Sequence, residues 1–223
     1  MINISLFRKE NKSTLLPVKH RTRKGQTLSS YTKRTLGSGN LRAAVIKPEN
    51  EDLFEWLAAN TVDFFNEITL LYGLVSEDAP LIYNQLGKGF PPGYEYRWAD
   101  GQKGIKTPKR CTSPEYVEYV ITWVEDQINN EDIFPIDEAQ PFPDDFLVYV
   151  KDIFKRLFRV FAIIYHAHFK TIEKLDAAAH LNTCFKHFMF FVFEFNLVND
   201  TDLKALKGPT EHLHKVFTNN SME

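Results

Sequence analysis

Residues 35–73 read TLGSGNLRAAVIKPENEDLFEWLAANTVDFFNEITLLYG, a Gly/Ser hinge running into an amphipathic helical pattern. At about 100° per residue, Leu53, Phe54, Leu57, Phe64, Phe65, Ile68 and Leu71 fall on one face. Glu51, Asp52, Glu55, Asp63 and Glu67 fall on the opposite half. The apolar stripe predicts a core helix over about 50–72. By itself the acidic half reads as a solvated face ahead of a docking surface for something basic, although a merely solvated face usually carries both signs.

Working outward, the chain divides by charge. Residues 1–47 hold eleven Lys/Arg against one acid, Glu10, for +10, and the remainder carries −12. A basic, Ser/Thr-rich, aromatic-poor arm predicts a flexible tail over 1–32, with a helical domain over 33–217 and a disordered end over 218–223. The arm has two readings, a solvated polyanion binder or a tethered ligand for its own acidic helix. A nucleic-acid role fits poorly, because the acidic body would repel phosphates.

The other elements follow from pattern and punctuation. Ser76 to Gly93, rich in Pro and Gly, predicts a long loop, and Tyr94–Trp98 before Ala-Asp-Gly predicts a small β-hairpin. Ser113 with Pro114 behind it reads as an N-cap for a helix to about Asn129. A long helix, bent once, is expected from Asp144 to about Leu175. Another is expected from Ala177 to Asn196, and a short one over 204–217 interrupted at Gly208-Pro209. The expected fold class is all-α, one domain, a helix bundle carrying a small β-hairpin.

Cys111 and Cys184 form no Cys-x-x-Cys pair, which excludes a disulfide framework and a zinc knuckle and fits reduced thiols. The start, MINISLFRKENK, lacks the apolar run of a signal peptide, and Phe188–Phe195 is too short to span a bilayer. The expectation is a soluble, cytoplasmic or nuclear protein, without a membrane span and monomeric when free. No phosphate loop, nucleophile elbow or H-E-x-x-H occurs, so no enzyme is expected. His166, His180 and His187 read as packed histidines.

One cationic trio stands out. Lys155, Arg156 and Arg159 lie at i, i+1 and i+4 within an apolar helix, and their heads can converge on one anion. A solvated positive face is the alternative reading. Lys109 and Arg110 on the hairpin could enlarge the patch.

Several segments together resemble a known family. TLGSGNLR (35–42), EWLAANTVDFFN (55–66), LLYG (70–73), YEYRWADG (94–101) and SPEYVEYVITWVEDQ (113–127) are followed by the Phe-Pro steps at 134–135 and 142–143. KRLFRVFAIIYHAHF (155–169) and AHLNTCFKHFMFFVFEFNL (179–197) complete the series. In this order and spacing they resemble the Mob family, adaptors and co-activators of NDR/LATS-type AGC kinases. The resemblance implies that Lys155, Arg156 and Arg159 form a phosphothreonine pocket for a phosphorylated Hippo/Mst-like kinase or scaffold. It implies that Glu51, Glu55 and Asp63 face a basic kinase segment, with apolar contacts from Leu36, Leu41, Ala44, Leu70 and Leu71. It also makes Thr14 and Thr35 phosphorylation sites, although Thr35 alone reads equally as a cap before Gly37. The family suggests growth control or exit from mitosis.

The chain departs from the family at its zinc site. Aligned from LLYG, the two cysteine positions carry Ala79 and Asn84, the first histidine position carries Ile163, and only His168 remains. Zinc takes about four donors, so no zinc and no other cofactor is expected. Glu77 and Asp78 are poor substitutes. The loop is expected to be held instead by burial of Leu81, Ile82, Tyr83 and Phe90. Two alternatives remain: a Mob-like phosphopeptide scaffold that activates no kinase, and a metal-dependent hydrolase built on the His-rich helices.

Overall fold

Asp52 sits in extended backbone ahead of the central helix, and its carboxylate accepts from the amides of Phe54 and Glu55. This cap starts α2 (Leu53–Gly73) in a computed structural model that describes Lys24, Leu28 and residues 39–100 and 107–219. Within residues 39–52 the chain forms the short helix α1 (Leu41–Val45), capped by Asn40. After α2 come α3 (Ala79–Ile82) and a two-stranded antiparallel pair, β1 (Arg97–Trp98) and β2 (Lys109–Arg110), with Arg97 opposite Arg110. Then follow α4 (Ser113–Ile128), α5 (Phe146–Ile163), a π-helical segment (Ile164–His168) and α6 (Phe169–Lys174). The chain closes with α7 (Ala178–Phe195), α8 (Asp200–Leu203), a 3₁₀ turn (Lys204–Leu206) and α9 (Lys207–Asn219). The expected all-α bundle with a small hairpin is what forms.

The core is a join of α2, α5 and α7 through aromatic rings. Phe64 meets Phe154, Phe188 and Phe191 at centroid distances of 5.8, 5.5 and 5.3 Å. Phe154 in turn stacks on Phe188 at 5.2 Å and on Phe191 at 5.5 Å. Such pairs contribute about 0.5–1.5 kcal/mol each beyond area burial. Because three helices press on it, α2 is buried on more than one side. Glu55, placed on the solvent half by the helical wheel, is only 6% exposed, and Asp52 is used as the cap. Leu53, placed on the apolar stripe, is exposed.

Local chemistry explains other differences from expectation. The cap of α4 is Thr112, not Ser113: Thr112 and Glu115 form a reciprocal capping box, and Ser113 is the first helical residue. Gly208-Pro209 does not interrupt α9, because Pro209 falls in its first turn, where a missing N–H forfeits no intrahelical bond. The long helix, expected to be broken or bent once, changes at Ile164–His168 to a π-helical segment. Leu81 is 75% exposed and Ile82 is also exposed, so they do not anchor the loop. Phe90 is buried as expected, Ala79 is buried with it, and the half-buried Tyr83 donates its hydroxyl to the Ala167 carbonyl at 3.1 Å. Gly89 brings the loop against α4: at φ +82°, a Cβ there would lie 2.0 Å from Ser113 Oγ. Among the described residues, no helix is long and apolar enough to cross a membrane.

Candidate functional site

The cationic trio lies on α5 beneath the hairpin and α4. The Arg156 guanidinium sits between two indoles, 4.5 Å from the Trp98 centroid and 4.4 Å from that of Trp123, and one amino group donates to the Ala99 carbonyl. Burial pulls its pKa below the usual guanidinium value. Arg159 stands over Tyr96 at 5.0 Å, donates to Asp202 at 2.7 Å, and approaches the Tyr116 hydroxyl at 3.4 Å. Burial works against its charge, but Tyr116 and Asp202 outweigh that and hold its pKa above the ordinary range. The Nε–H groups of both arginines are buried without an acceptor. Lys155 is tied to Asp152 on the same helix.

The structure therefore brings Arg156 and Arg159 together around Tyr116, with Lys155 held beside them by its own carboxylate. Cation–π contact and partial desolvation make each guanidinium a strong donor to an incoming anion. Lys109 and Arg110 are already engaged, the first with Tyr119 and the second through two bonds with Glu95. The aromatic walls and Asp202 were not singled out from the sequence. Trp98 lies on β1, Tyr116 and Trp123 on α4 and Asp202 on α8, and no local spacing links them to the trio.

The acidic surface is smaller than the sequence suggests. Glu51 and Asp63 are half-buried, and Glu55 is buried. Of the apolar contacts expected there, Leu70 is exposed and Leu41 half-buried, but Ala44 and Leu71 belong to the core and present no surface in this conformation. Lys24 donates to Glu51 at 2.7 Å, and Leu28, one turn later through its N–H to the Lys24 carbonyl, is buried in the core cluster. Leu36, Thr14 and Thr35 lie outside the described residues.

The metal positions do not fit zinc. Ala79 and Ile163 are buried hydrocarbon, Asn84 is exposed, and His168 alone offers a nitrogen. Its ring packs edge-on against Tyr83 at 5.5 Å and Tyr72 at 6.2 Å, burial lowers its pKa to about 4, and its Nε2 has no partner. His166 is exposed while His168 is buried, as two residues on opposite sides of a helical segment must be. Among the described residues, no three His, Cys, Asp or Glu side chains are placed to hold an ion together. Both cysteines are buried thiols, pushed up to about 11 (Cys111) and about 12 (Cys184) chiefly by desolvation.

The fold is a helix bundle carrying a small hairpin, with two neighbouring arginines set among aromatic rings. A sequence model of the Mob1/phocein family matches residues 33–206. The chain is 48% identical over 216 residues to "MOB kinase activator-like 1 homolog B" of Dictyostelium discoideum, covering 96% of this chain and 99% of that one. It is 50% identical over 191 residues to "MOB kinase activator-like 1A" of Arabidopsis thaliana, covering 85% and 87% respectively. A "MOB kinase activator-like 1A" of Medicago sativa subsp. falcata is 50% identical over 185 residues. The chain belongs to the Mob1/phocein family.

Proposed function

We propose that this chain is a non-catalytic adaptor and co-activator of an NDR/LATS-type AGC kinase. It binds a basic kinase segment at the acidic α2 surface and a phosphothreonine, carried by a Hippo/Mst-like kinase or scaffold, at Arg156 and Arg159. The relatives' names, MOB kinase activator-like, support the kinase half of this reading. The observation that carries the phosphopeptide half is Arg156: a partly desolvated guanidinium held between Trp98 and Trp123, its Nε–H without an acceptor. A half-buried guanidinium with an unused N–H keeps donor capacity that an anionic ligand would complete. Folding proceeds without zinc, because Ala79, Asn84 and Ile163 supply none of the usual donors.

Calorimetric titration with a phosphothreonine peptide tests the first site. Arg156→Ala is expected to weaken binding by roughly 10- to 100-fold, the loss of one charge-assisted contact, while charge reversal at exposed Glu173 leaves it unchanged. Asp63→Lys is expected to lose a basic kinase segment and keep the phosphopeptide, since the two surfaces use opposite charge on different helices. Equal wild-type affinity for phosphorylated and unphosphorylated peptide would remove the reading.

A further inference from the structure

Arg156 and Arg159 lie about one turn apart on α5, yet their surroundings differ. Arg156 meets aromatic faces and a backbone carbonyl, whereas Arg159 already carries an anion supplied by the chain itself, Asp202 at 2.7 Å. Asp202 is placed for this contact by its own element. The chain leaves α7 through Asn196 in the left-handed conformation, and α8 then opens with Asn199 as its cap, its side chain accepting from the Asp202 amide at 2.8 Å. The cap fixes the first turn of α8 against α5. The Asp202 carboxylate is more shielded from solvent than the Arg159 guanidinium it meets. Lys155 differs from both, because its partner Asp152 is on its own helix and half-exposed, so that pair opens easily.

We propose that Asp202 is a specificity-determining residue of the arginine groove: a tethered carboxylate that occupies Arg159 in the free protein and yields only to a ligand of more than one negative charge. The inference rests on the phosphothreonine reading given above and adds to it a rule for what the groove refuses.

The rule follows from what is exchanged. A glutamate or aspartate side chain of an incoming peptide would replace one carboxylate by another, with the same charge and the same pair of acceptor oxygens. It gains nothing at Arg159. It must also overcome an intramolecular competitor whose effective concentration is of order millimolar or higher, and lose translational freedom in doing so. A phosphothreonine brings about −1.5 to −2 charge and three acceptor oxygens. It can serve the unused donor of Arg156 and the vacated Arg159 together with close to two charges, where a single carboxylate brings one charge to share between them. Asp202 would thus convert a groove receptive to any anion into one that reads phosphorylation and rejects acidic sequence.

The test compares three peptides of one sequence, the tightest-binding member of a degenerate phosphothreonine library, with phosphothreonine, threonine or glutamate at the central position. Fluorescence anisotropy gives their affinities. The wild type is expected to prefer phosphothreonine to glutamate by roughly 100-fold, and Asp202→Asn to improve the glutamate peptide by roughly tenfold or more, the span of an ordinary coupling energy. The phosphothreonine peptide should improve less, so the ratio contracts, and Asp202→Glu should restore it. An unchanged ratio in Asp202→Asn overturns the inference and leaves the phosphopeptide site standing. Weaker binding of both peptides also overturns it, since Asp202 would then merely orient Arg159. Comparable wild-type binding of glutamate and phosphothreonine peptides overturns it without any variant, and so holds even if a substitution costs the fold. Failure of every library member to bind the wild type overturns the phosphopeptide reading as well.

Discussion

His187 packs against Phe64 at a centroid distance of 4.7 Å, and burial lowers its pKa to about 4. An imidazole in the unfolded chain titrates near 6.5, so between these values the unfolded state binds a proton that the folded state refuses. The contribution is therefore complete above about pH 6.5, declines as pH falls, and is gone near pH 4, on the order of 3 kcal/mol in all. Urea midpoints measured across that window are expected to fall less steeply for His187→Phe than for the wild type; parallel profiles would remove the assignment. At this scale the sequence was a partial guide. It marked Arg156 and Arg159 through resemblance, because both are in a contiguous segment. It could not mark Trp98, Trp123 or Asp202, whose relation to α5 exists only once the hairpin, α4 and α8 have folded back onto it. Glu55 was misplaced for the same reason, since a helical wheel knows one face of α2 and the fold covers more than one.

Elements were legible where periodicity and caps agree. The patterns of α2, α4 and α7 were readable because each combines a strong apolar repeat with a recognisable start or stop. The cap of α4 was read one residue late, and stability can decide between the two candidates. Thr112→Ala is expected to cost about 1 kcal/mol by thermal or urea unfolding, as a lost capping box does. Ser113→Ala should be neutral or slightly stabilising, because its hydroxyl is buried without a hydrogen-bond partner. The reverse order would restore Ser113 as the cap. The π-helical segment at Ile164–His168 was anticipated only as a bend. Tyr83 bonds to the segment's Ala167 carbonyl and packs on its His168 ring, contacts that no residue in IYHAH announces. In α9, Gly-Pro reads as a break from composition, but position within the first turn decides the outcome.

For the molecule as a whole, metal independence is the most direct expectation. Purified protein should hold less than stoichiometric zinc, and a chelator should leave its Tm unchanged, since structural zinc ordinarily contributes many kcal/mol to folding. One equivalent surviving dialysis would reverse this. The basic arm carries a second expectation, that it competes with a basic kinase segment for the carboxylates of α2. Leu28→Ala is expected to raise affinity for such a segment more than Lys24→Glu does, by surface plasmon resonance at several ionic strengths. Equal effects would assign the competition to charge alone. The reason lies in the burial of Leu28, 2% exposed and joined by one turn to Lys24. The exposed Lys24–Glu51 pair contributes about 0–1 kcal/mol and fades with salt. Exposing a buried leucine costs about 1.5–3 kcal/mol, and salt does not reduce that cost. Detachment of the contacts made by Lys24 and Leu28 is therefore a thresholded event: weakening the charge pair loosens it, but release must also extract an apolar anchor, and a change in ionic strength alone leaves Leu28 buried.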